Sequence, residues 1–471
     1  MQTVEASSEL RERSLASAHA IAPAAVPRRA ILGWILFDWA CQPFFTLVTT
    51  FVFAPYFAAS LAPDPVTGQS LWGYATAFAG LTLGFLSPVL GSIADASGPR
   101  KPWIVACGVL LVVSSAALWF AEPGASYAIG LALVAFAIGT VSVEIATVFN
   151  NAMMPMLVPP ERLGRLSGAG WAMGYAGGLV SLVVVLGFLA ATPSGKTYFG
   201  IDPLFGLDPM VHEGDRAAGP FSALWFIAFV WPLLLFTPDA PRRGRPMRES
   251  VRQGLVQLRS TLREARQRPD LVRFLAANMV YQDALVALFA FGGIYGAGVF
   301  GWTAVELGLF GILLTITGTI GALIGGRLDD RFGAKAVIVC AIVTLALVCL
   351  GVLSLGRDHV LFGIATPARV PQDGLFATIP EQVFVALGLV IGAVAGPLQA
   401  SSRTFLARLV PASEAGRYFG LLALSGKVTS FLAPLCVALA TDVFETQAAA
   451  PAVLILFFAA GLTLIAGVRR V

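Results

Sequence analysis

The sequence predicts an all-α membrane protein, with twelve transmembrane helices in two six-helix bundles. Three observations predict it. Of the 471 residues 57% are hydrophobic and 12% charged, against about 45–50% and about 25% in soluble domains; so few charges cannot coat a water-soluble globe of this size. Apolar runs long enough to cross a bilayer recur twelve times. Two polar segments of the first half return in the second, which marks an internal duplication with a six-helix period.

Residues 1–29 are polar and alanine-rich, with Arg11, Arg13, Arg28 and Arg29. Glu5, Glu9 and Glu12 argue against a transit peptide, and no apolar run with a small-residue cleavage site opens the chain, so a disordered cytoplasmic tail is expected. The spans follow at 30–61, 71–94, 102–120, 127–157, 166–190 and 219–237, then at 271–299, 303–327, 336–355, 380–409, 417–440 and 451–468. Each has the roughly 20 residues a helix needs to cross. The runs lack the alternation and the ten-residue length of barrel strands, which leaves helices as the spanning structure. The domains expected are the tail, a bundle over 30–237, a linker over 238–270, and a second bundle with a short tail over 271–471. In the linker Val251, Leu255, Leu258 and Leu262 recur at helical spacing, with Arg252, Arg259, Arg263 and Arg266 around them. That pattern fits a basic amphipathic helix on the membrane surface or a solvated linker helix.

Orientation follows from the basic residues. Of the 31 Lys and Arg, 26 fall on the side of the N-terminus and four on the other, while Lys427 lies within a span. Basic residues mark the cytoplasmic side, which places both termini in the cytoplasm of a bacterial cell, with the bundles in its inner (plasma) membrane.

The net charge of +4 is too small to suggest a nucleic-acid partner. Cys41, Cys107, Cys340, Cys349 and Cys436 all lie in apolar stretches without a C-x-x-C pair, and His19, His212 and His359 are scattered. Disulfide framework, metal centre, cofactor, soluble enzyme and secreted scaffold are therefore not expected.

The duplicated segments sit in short turns. GSIADASGPRK (91–101) matches GRLDDRFGAK (326–335), aligning Gly91, Asp95, Gly98 and Arg100 with Gly326, Asp330, Gly333 and Lys335. LVPPERLGRLSG (157–168) matches LVPASEAGRYFG (409–420). Glycine lets the chain reverse tightly. Asp95 and Asp330 can cap a neighbouring helix N-terminus or pair with nearby basic groups, among them Arg100, Arg165, Arg331, Lys335 and Arg417. Such contacts would form a cytoplasmic gate, closed in one state and released in another. Positive-inside anchoring explains the basic residues alone, but not the paired Gly and Asp.

Glycine ridges mark the fifth span (Gly170, Gly174, Gly178), the second (Gly73, Gly80, Gly84, Gly91) and the eighth (Gly318, Gly321, Gly325). Small residues at this spacing let helices approach, either as surfaces that rock or as plain close packing.

Polar groups inside a membrane cost several kcal/mol unless paired or wet. Thr140, Glu144, Thr147 and Asn151 form one stripe on the fourth span; Gln399, Ser402 and Arg403 share a face of the tenth; and the first offers Asp38, Gln42 and Thr49. Asn278, Tyr281 and Gln282 cluster in the seventh, where Asp283 is rotated by about 140° from Asn278. The repeat alignment sets Asn151 at the position of Arg403. One reading is a wet cavity with cations (Arg403, Lys427) in one half and carboxylates (Glu144, Asp38) in the other. It suits a small zwitterion, because Arg takes a carboxylate bidentately. The other reading is a structural Glu144–Arg403 ion pair that holds the halves together.

The G-x-x-x-D-x-x-G-x-[RK] turns, present in both halves, resemble the loop signature of the major facilitator superfamily. Four longer segments narrow the likeness: GWILFDWACQPFFTLVTTFVFAPYF (33–57), NNAMMPMLVPPERLGRLSGAGWAMGYAGG (150–178), FLAANMVYQDALVALFAFGGIYG (274–296) and GPLQASSRTFLARLVPASEAGRYFGLLALSGK (396–427). They resemble the vacuolar amino-acid effluxer-like branch, related to an autophagy-linked vacuolar permease. The resemblance implies the major facilitator fold, contacts between halves through the second, fifth, eighth and eleventh helices, alternating access, and export of neutral amino acids or similar metabolites. The chain departs from the branch at Cys41-Gln42, at Tyr281-Gln282-Asp283-Ala284 and at Gly416-Arg417-Tyr418.

The function expected is a secondary transporter for a small polar or zwitterionic metabolite such as an amino acid. Asp38, Gln42, Glu144, Asn151, Asn278, Gln282, Asp283, Gln399, Arg403 and Lys427 are its candidate binding or coupling residues. Asp38, Glu144 or Asp283 would carry a coupling proton. No G-x-x-x-x-G-K-[ST] segment for nucleotide binding occurs. Rival readings are a drug or amphiphile exporter of the same fold and a non-transporting membrane scaffold; a membrane enzyme lacks a catalytic signature.

Overall fold

Uncharged runs of Leu, Val, Ala and Phe have one stable form in lipid, because only the helix satisfies every backbone N–H and C=O within its own segment. Among the described residues eleven helices are long and apolar enough to cross a membrane. The computed structural model describes residues 26–192, 194–241, 247–302, 304–370, 374–427, 429–430, 432–444, 446 and 449–469. The tail expected over 1–29 therefore lies outside the described residues as far as residue 25.

The first half contains α1 (Arg28–Pro43), α2 (Pro65–Ser97), α3 (Lys101–Ala117), α4 (Ala128–Met153), α5 (Leu163–Phe188) and α6 (Ala218–Phe236). A linker helix (Met247–Gln267) follows, then α7 (Pro269–Phe300), α8 (Ala304–Phe332), α9 (Ala334–Leu353) and α10 (Ile379–Leu409). The eleventh crossing comes in two pieces, α11 (Ala415–Lys427) and α12 (Leu432–Phe444), and α13 (Ala449–Ala466) is the last helix. The continuous run expected over 417–440 is thus interrupted. Pro434 lies in the first turn of α12, where its missing N–H needs no partner.

α1 does not stop at Pro43. It continues through π-helical turns over Phe44–Phe51 and Phe57–Leu61. Proline removes the bond that would reach the Trp39 carbonyl, and the Trp225 indole of α6 donates to that oxygen instead at 3.0 Å.

Within the first half α1 packs on α5 and α6, and α3 on α4 and α6; within the second α10 packs on α8 and α9, and α13 on α7 and α9. The halves meet where α2 lies against α11 and α5 against α8. These seams are tight at the face that carries the start of α1, the linker helix and the end of α13, here the terminal face. A Cβ on Gly91, Gly164, Gly168 or Gly420 would run into the backbone of the facing helix there. Toward the opposite face no atom of the described residues stands within 4 Å of a Cβ built on Gly73, Gly80 or Gly308. The molecule is closed at one face and parted at the other.

The glycine ridges divide: Gly84 and Gly91 meet α11 and Gly318 meets Tyr175 of α5, as expected of contacts between the halves, while five others pack mainly within their own half. Gly170, Gly174 and Gly178 pack on α1 of their own half, and Gly321 and Gly325 pack on α10 of theirs. Helical period shows which residues share a face but not which helix that face meets. Gly164 and Gly168, which precede Gly170 on the side of the terminal face, form the α5–α8 contact.

The linker helix lies across the closed end. Its Gly254 packs on Ile93 of α2, and Glu264 reaches Arg417 at the start of α11, 3.7 Å away. On the opposite face Arg369 joins two buried carboxylates, Glu306 at 2.6 Å and Glu381 at 2.8 Å, and Glu381 also accepts from the Trp302 indole. Its hydrogen bond to Glu306 holds the Arg369 guanidinium above its ordinary pKa.

Two outcomes are expected. Arg369→Ala strands two buried carboxylates and should cost about 3 kcal/mol, read as a lowered unfolding midpoint in detergent. Gly168→Val should wedge the α5–α8 seam apart and raise thiol labelling of a Ser87→Cys reporter at the neighbouring seam.

Candidate functional site

The first N–H groups of a helix have no partner within it and attract anions. The duplicated segments supply such anions across the seams. Asp95, at the end of α2, accepts from the backbone N–H of Gly416 (3.1 Å) and Arg417 (2.8 Å), where α11 begins. Asp330, at the end of α8, accepts from Gly164 (2.8 Å) and Arg165 (3.3 Å), where α5 begins. Each copy of one repeat thus caps the other half's copy of the second repeat. Gly98 and Gly333 follow these aspartates with φ of 102° and 85°, backbone that side-chain-bearing residues rarely adopt.

The basic groups around the caps are less symmetric. Arg100 is buried and bonds Asp95 at 3.0 Å within its own half. Its counterpart Lys335 donates instead to the carbonyls of Ala466 and Val468 at the end of α13. Arg331 lies over the Phe332 ring. Arg165 reaches Asp330 across the seam at 3.0 Å, and the Arg417 guanidinium holds Glu414 at 2.5 Å. Arg408, which the sequence reading passed over, bonds Asp329 at 2.6 Å and the Pro160 carbonyl of the other half.

Deeper in the seam, Arg403 of α10 is held by the opposite half. Nε donates to Ser167 Oγ (3.0 Å) and Nη2 to the Ser167 carbonyl (2.7 Å). Nη1 donates to Asn151 Oδ1 (3.0 Å) and Asp38 Oδ2 (3.3 Å). The rings of Trp34 and Trp171 lie 5.5 and 5.4 Å from the guanidinium carbon, an arrangement that favours a cation. Gly170 leaves the room: a Cβ there would stand 2.6 Å from Asp38 Oδ2. Asp38 is thus the carboxylate on Arg403, where sequence reasoning set Glu144 as the structural partner. Trp34, Ser167 and Trp171 were not singled out, although each falls within a segment quoted for the family likeness.

Above this lock the halves part into a cleft of roughly 480 Å³, within the range of small-molecule sites. α1, α5 and α8 line it, with Gln42, Thr46, Thr50, Tyr175 and Thr315 among aromatic and aliphatic side chains such as Phe45, Phe51 and Leu182. Among the described residues this lining carries no formal charge. The first-span face expected through Asp38, Gln42 and Thr49 bends away after Gln42. The π-helical turns take an extra residue each, so Thr46 and Thr50 line the cleft and Thr49 does not, although the Thr49 and Thr50 hydroxyls bond the Phe44 and Phe45 carbonyls alike.

The remaining candidates scatter. Asn278 is buried, donating to Ser425 Oγ (3.2 Å) and accepting from Tyr281, whose hydroxyl also meets Ser402. Asp283 is buried on α7, Gln282 and Gln399 are half-buried, and Glu144 is half-buried on α4. Thr147 bonds its own helix. The Lys427 side chain lies outside the described ones.

Comparison with known proteins adds four likenesses to this geometry. The model of a family described as vacuole effluxer Atg22 like matches residues 59–470. An uncharacterized MFS-type transporter of Bacillus subtilis, YxiO, is 24% identical over 451 residues, covering 92% of this chain and 93% of that protein. Autophagy-related protein 22 of Cryptococcus neoformans is 24% identical over 294 residues, 59% of this chain; the match spans 45% of the fungal protein, less than half its length. Among solved structures, the major facilitator superfamily transporter FucP in its outward conformation superposes with a TM-score of 0.65 at 16% identity, over 95% of this chain and 100% of that one.

Arg403→Ala would leave Asp38 and Asn151 facing each other without their donor, at a cost of about 3 kcal/mol. Its expected signature is loss of disulfide cross-linking between cysteines placed across the α2–α11 seam. Arg403→Lys should not restore it, because an ammonium has three donors for these four acceptors and no planar face to lie between two indoles.

Proposed function

The chain belongs to the vacuole effluxer Atg22-like family and is an MFS-type transporter, and from that premise we propose that it exports a small zwitterionic metabolite, such as a neutral amino acid with an apolar side chain, by alternating access. The observation that carries the reading is the pairing of a polar seam closed at one face with an uncharged cleft open at the other. In this proposal the terminal face is cytoplasmic and the membrane is a bacterial plasma membrane. The arrangement described is then the outward-facing one.

Every contact in the seam exchanges for water when the halves part, so each costs only about 1 kcal/mol net, or about 2 where a charge is involved. A difference of that size is one that cargo binding can tip. Asp95 and Asp330, backed by Arg100 and Arg165, would act as the gate, with Arg417 at the capped end of α11; Arg331 and Lys335, which hold their own half, drop out of that role. Arg403 would receive the cargo carboxylate in place of Asp38 once the seam opens, and Gln42, Thr46 and Thr50 would guide the cargo along α1. Asp38, Glu144 and Asp283 remain the candidates for a coupling proton.

The apolar side of the cleft favours a second reading, an exporter of amphiphiles. The two separate in reconstituted liposomes. Counterflow of a labelled neutral amino acid, lost in Arg403→Ala and kept in Arg331→Ala, supports the first. Flux of a lipophilic cation with no amino-acid counterflow supports the second. If neither moves while other cellular activity survives Arg403→Ala, a scaffold role replaces both.

A further inference from the structure

The linker helix is held to the bundles along one side. Its Gly254 leans on α2 so closely that a Cβ there would stand 2.8 Å from the Ile93 backbone, and Ser250, one turn earlier on the same side, is fully buried. The far end is fixed to the start of α11. There Glu264 lies 3.7 Å from Arg417, and the Arg268 guanidinium lies 6.0 Å from the centre of the Tyr418 ring. Ile93 continues the face of α2 that carries Leu86 two turns deeper. That face is turned away from Ser87, Gly91 and Asp95, which meet α11, and Leu86 on it is exposed. An exposed leucine on the outside of a membrane bundle faces acyl chains. The linker thus takes the place of lipid against the last turns of α2, at the level where acyl chains give way to headgroups.

The other side of the linker carries a different chemistry. Arg252, Val256, Arg259 and Arg263 stand about 140–200° around the helix from Gly254, and all four are exposed. Leu255 adjoins them; it is 49% exposed and Val256 66%. Of the apolar residues at helical spacing, Val251 is therefore half-buried toward α2 and Leu255 is not, while the side chains of Leu258, Leu262 and Arg266 lie outside the described ones. The linker's two acids do not offset the arginines: Glu249 accepts from Gln253 at 3.3 Å, and Glu264 turns to Arg417. Guanidinium groups bind phosphate oxygens bidentately. Two aliphatic side chains set among them gain by leaving water for the boundary beneath the headgroups, the arrangement of a helix that lies in a membrane interface. A soluble acidic partner would satisfy the charges, but it would not account for a helix seated against the lipid-facing side of α2.

We propose that this side of the linker helix, with Arg252, Leu255, Val256, Arg259 and Arg263, is a binding surface for anionic phospholipids of the leaflet at the terminal face. It does not rest on the cargo reading, and no flux enters its test. The full chain is placed in nanodiscs of phosphatidylcholine with a rising share of phosphatidylglycerol, at about 0.1 M and about 1 M salt. An environment-sensitive fluorophore sits on Val256→Cys, and the unsubstituted chain, labelled in parallel, supplies the blank for the native cysteines. Emission should shift to the blue and quenching by acrylamide should fall as phosphatidylglycerol rises, and the higher salt should reverse both. Arg259→Gln should weaken the response about fivefold. Arg252→Gln, Arg259→Gln and Arg263→Gln together should remove it, with the melting point in pure phosphatidylcholine unchanged. A fluorophore that stays in water at every composition overturns the proposal and leaves the surface to a soluble acidic partner. A blue shift of equal size with and without the anionic lipid overturns it as well, since apolar contact alone then holds the helix.

Discussion

One guanidinium organises the interior. Arg403 grows from the second half, yet the hydrogen bonds and aromatic faces that hold it belong to the first. A charge inside a bilayer has to be satisfied wherever it sits, and here it is satisfied only while the halves touch. Much else follows from that requirement: a glycine beside Asp38, two indoles flanking the cation, and an asparagine at the repeat position of the arginine itself. The helix caps apply the same logic nearer the surface, with backbone N–H groups of one half as donors and carboxylates of the other as acceptors.

The duplication acquires a physical meaning in this light. Two copied segments per half would be redundant if each served its own bundle. Asp95 meets the second copy of the partner motif and Asp330 the first, so a single ancestral contact is used twice, reciprocally, on the two seams. Glycine–backbone contact at both seams makes the closed face a hard stop.

The crossings, the repeats and the special status of Asp95, Asp330, Asn151 and Arg403 were legible in the sequence because apolar length, internal similarity and buried charge are all local or self-referential signals. Partner choice was not. The stripe on α4 made Glu144 as plausible for Arg403 as Asp38, and only the packing of α1 against α5 decides between them. The glycines of α5 advertised a sliding face, but periodicity names no neighbour, and α1 occupies it. The π-helical turns after Pro43 shifted the polar ladder from Thr49 to Thr46 and Thr50, a change of helical pitch that an α-helical count cannot foresee. Trp34, Ser167 and Trp171 stood inside recognisable segments, yet nothing in their spacing tied them to a cation more than 230 positions downstream.

The two caps differ in one respect that reaches beyond geometry. Asp95 leans on Arg100, whose side chain is 2% exposed, whereas Asp330 leans on Arg165, which is 66% exposed. Mobile ions screen the second pair and barely reach the first. Ionic strength therefore acts as a one-sided lever: brine weakens the Arg165–Asp330 contact at the α5–α8 edge more than the Arg100–Asp95 contact beside the α2–α11 edge.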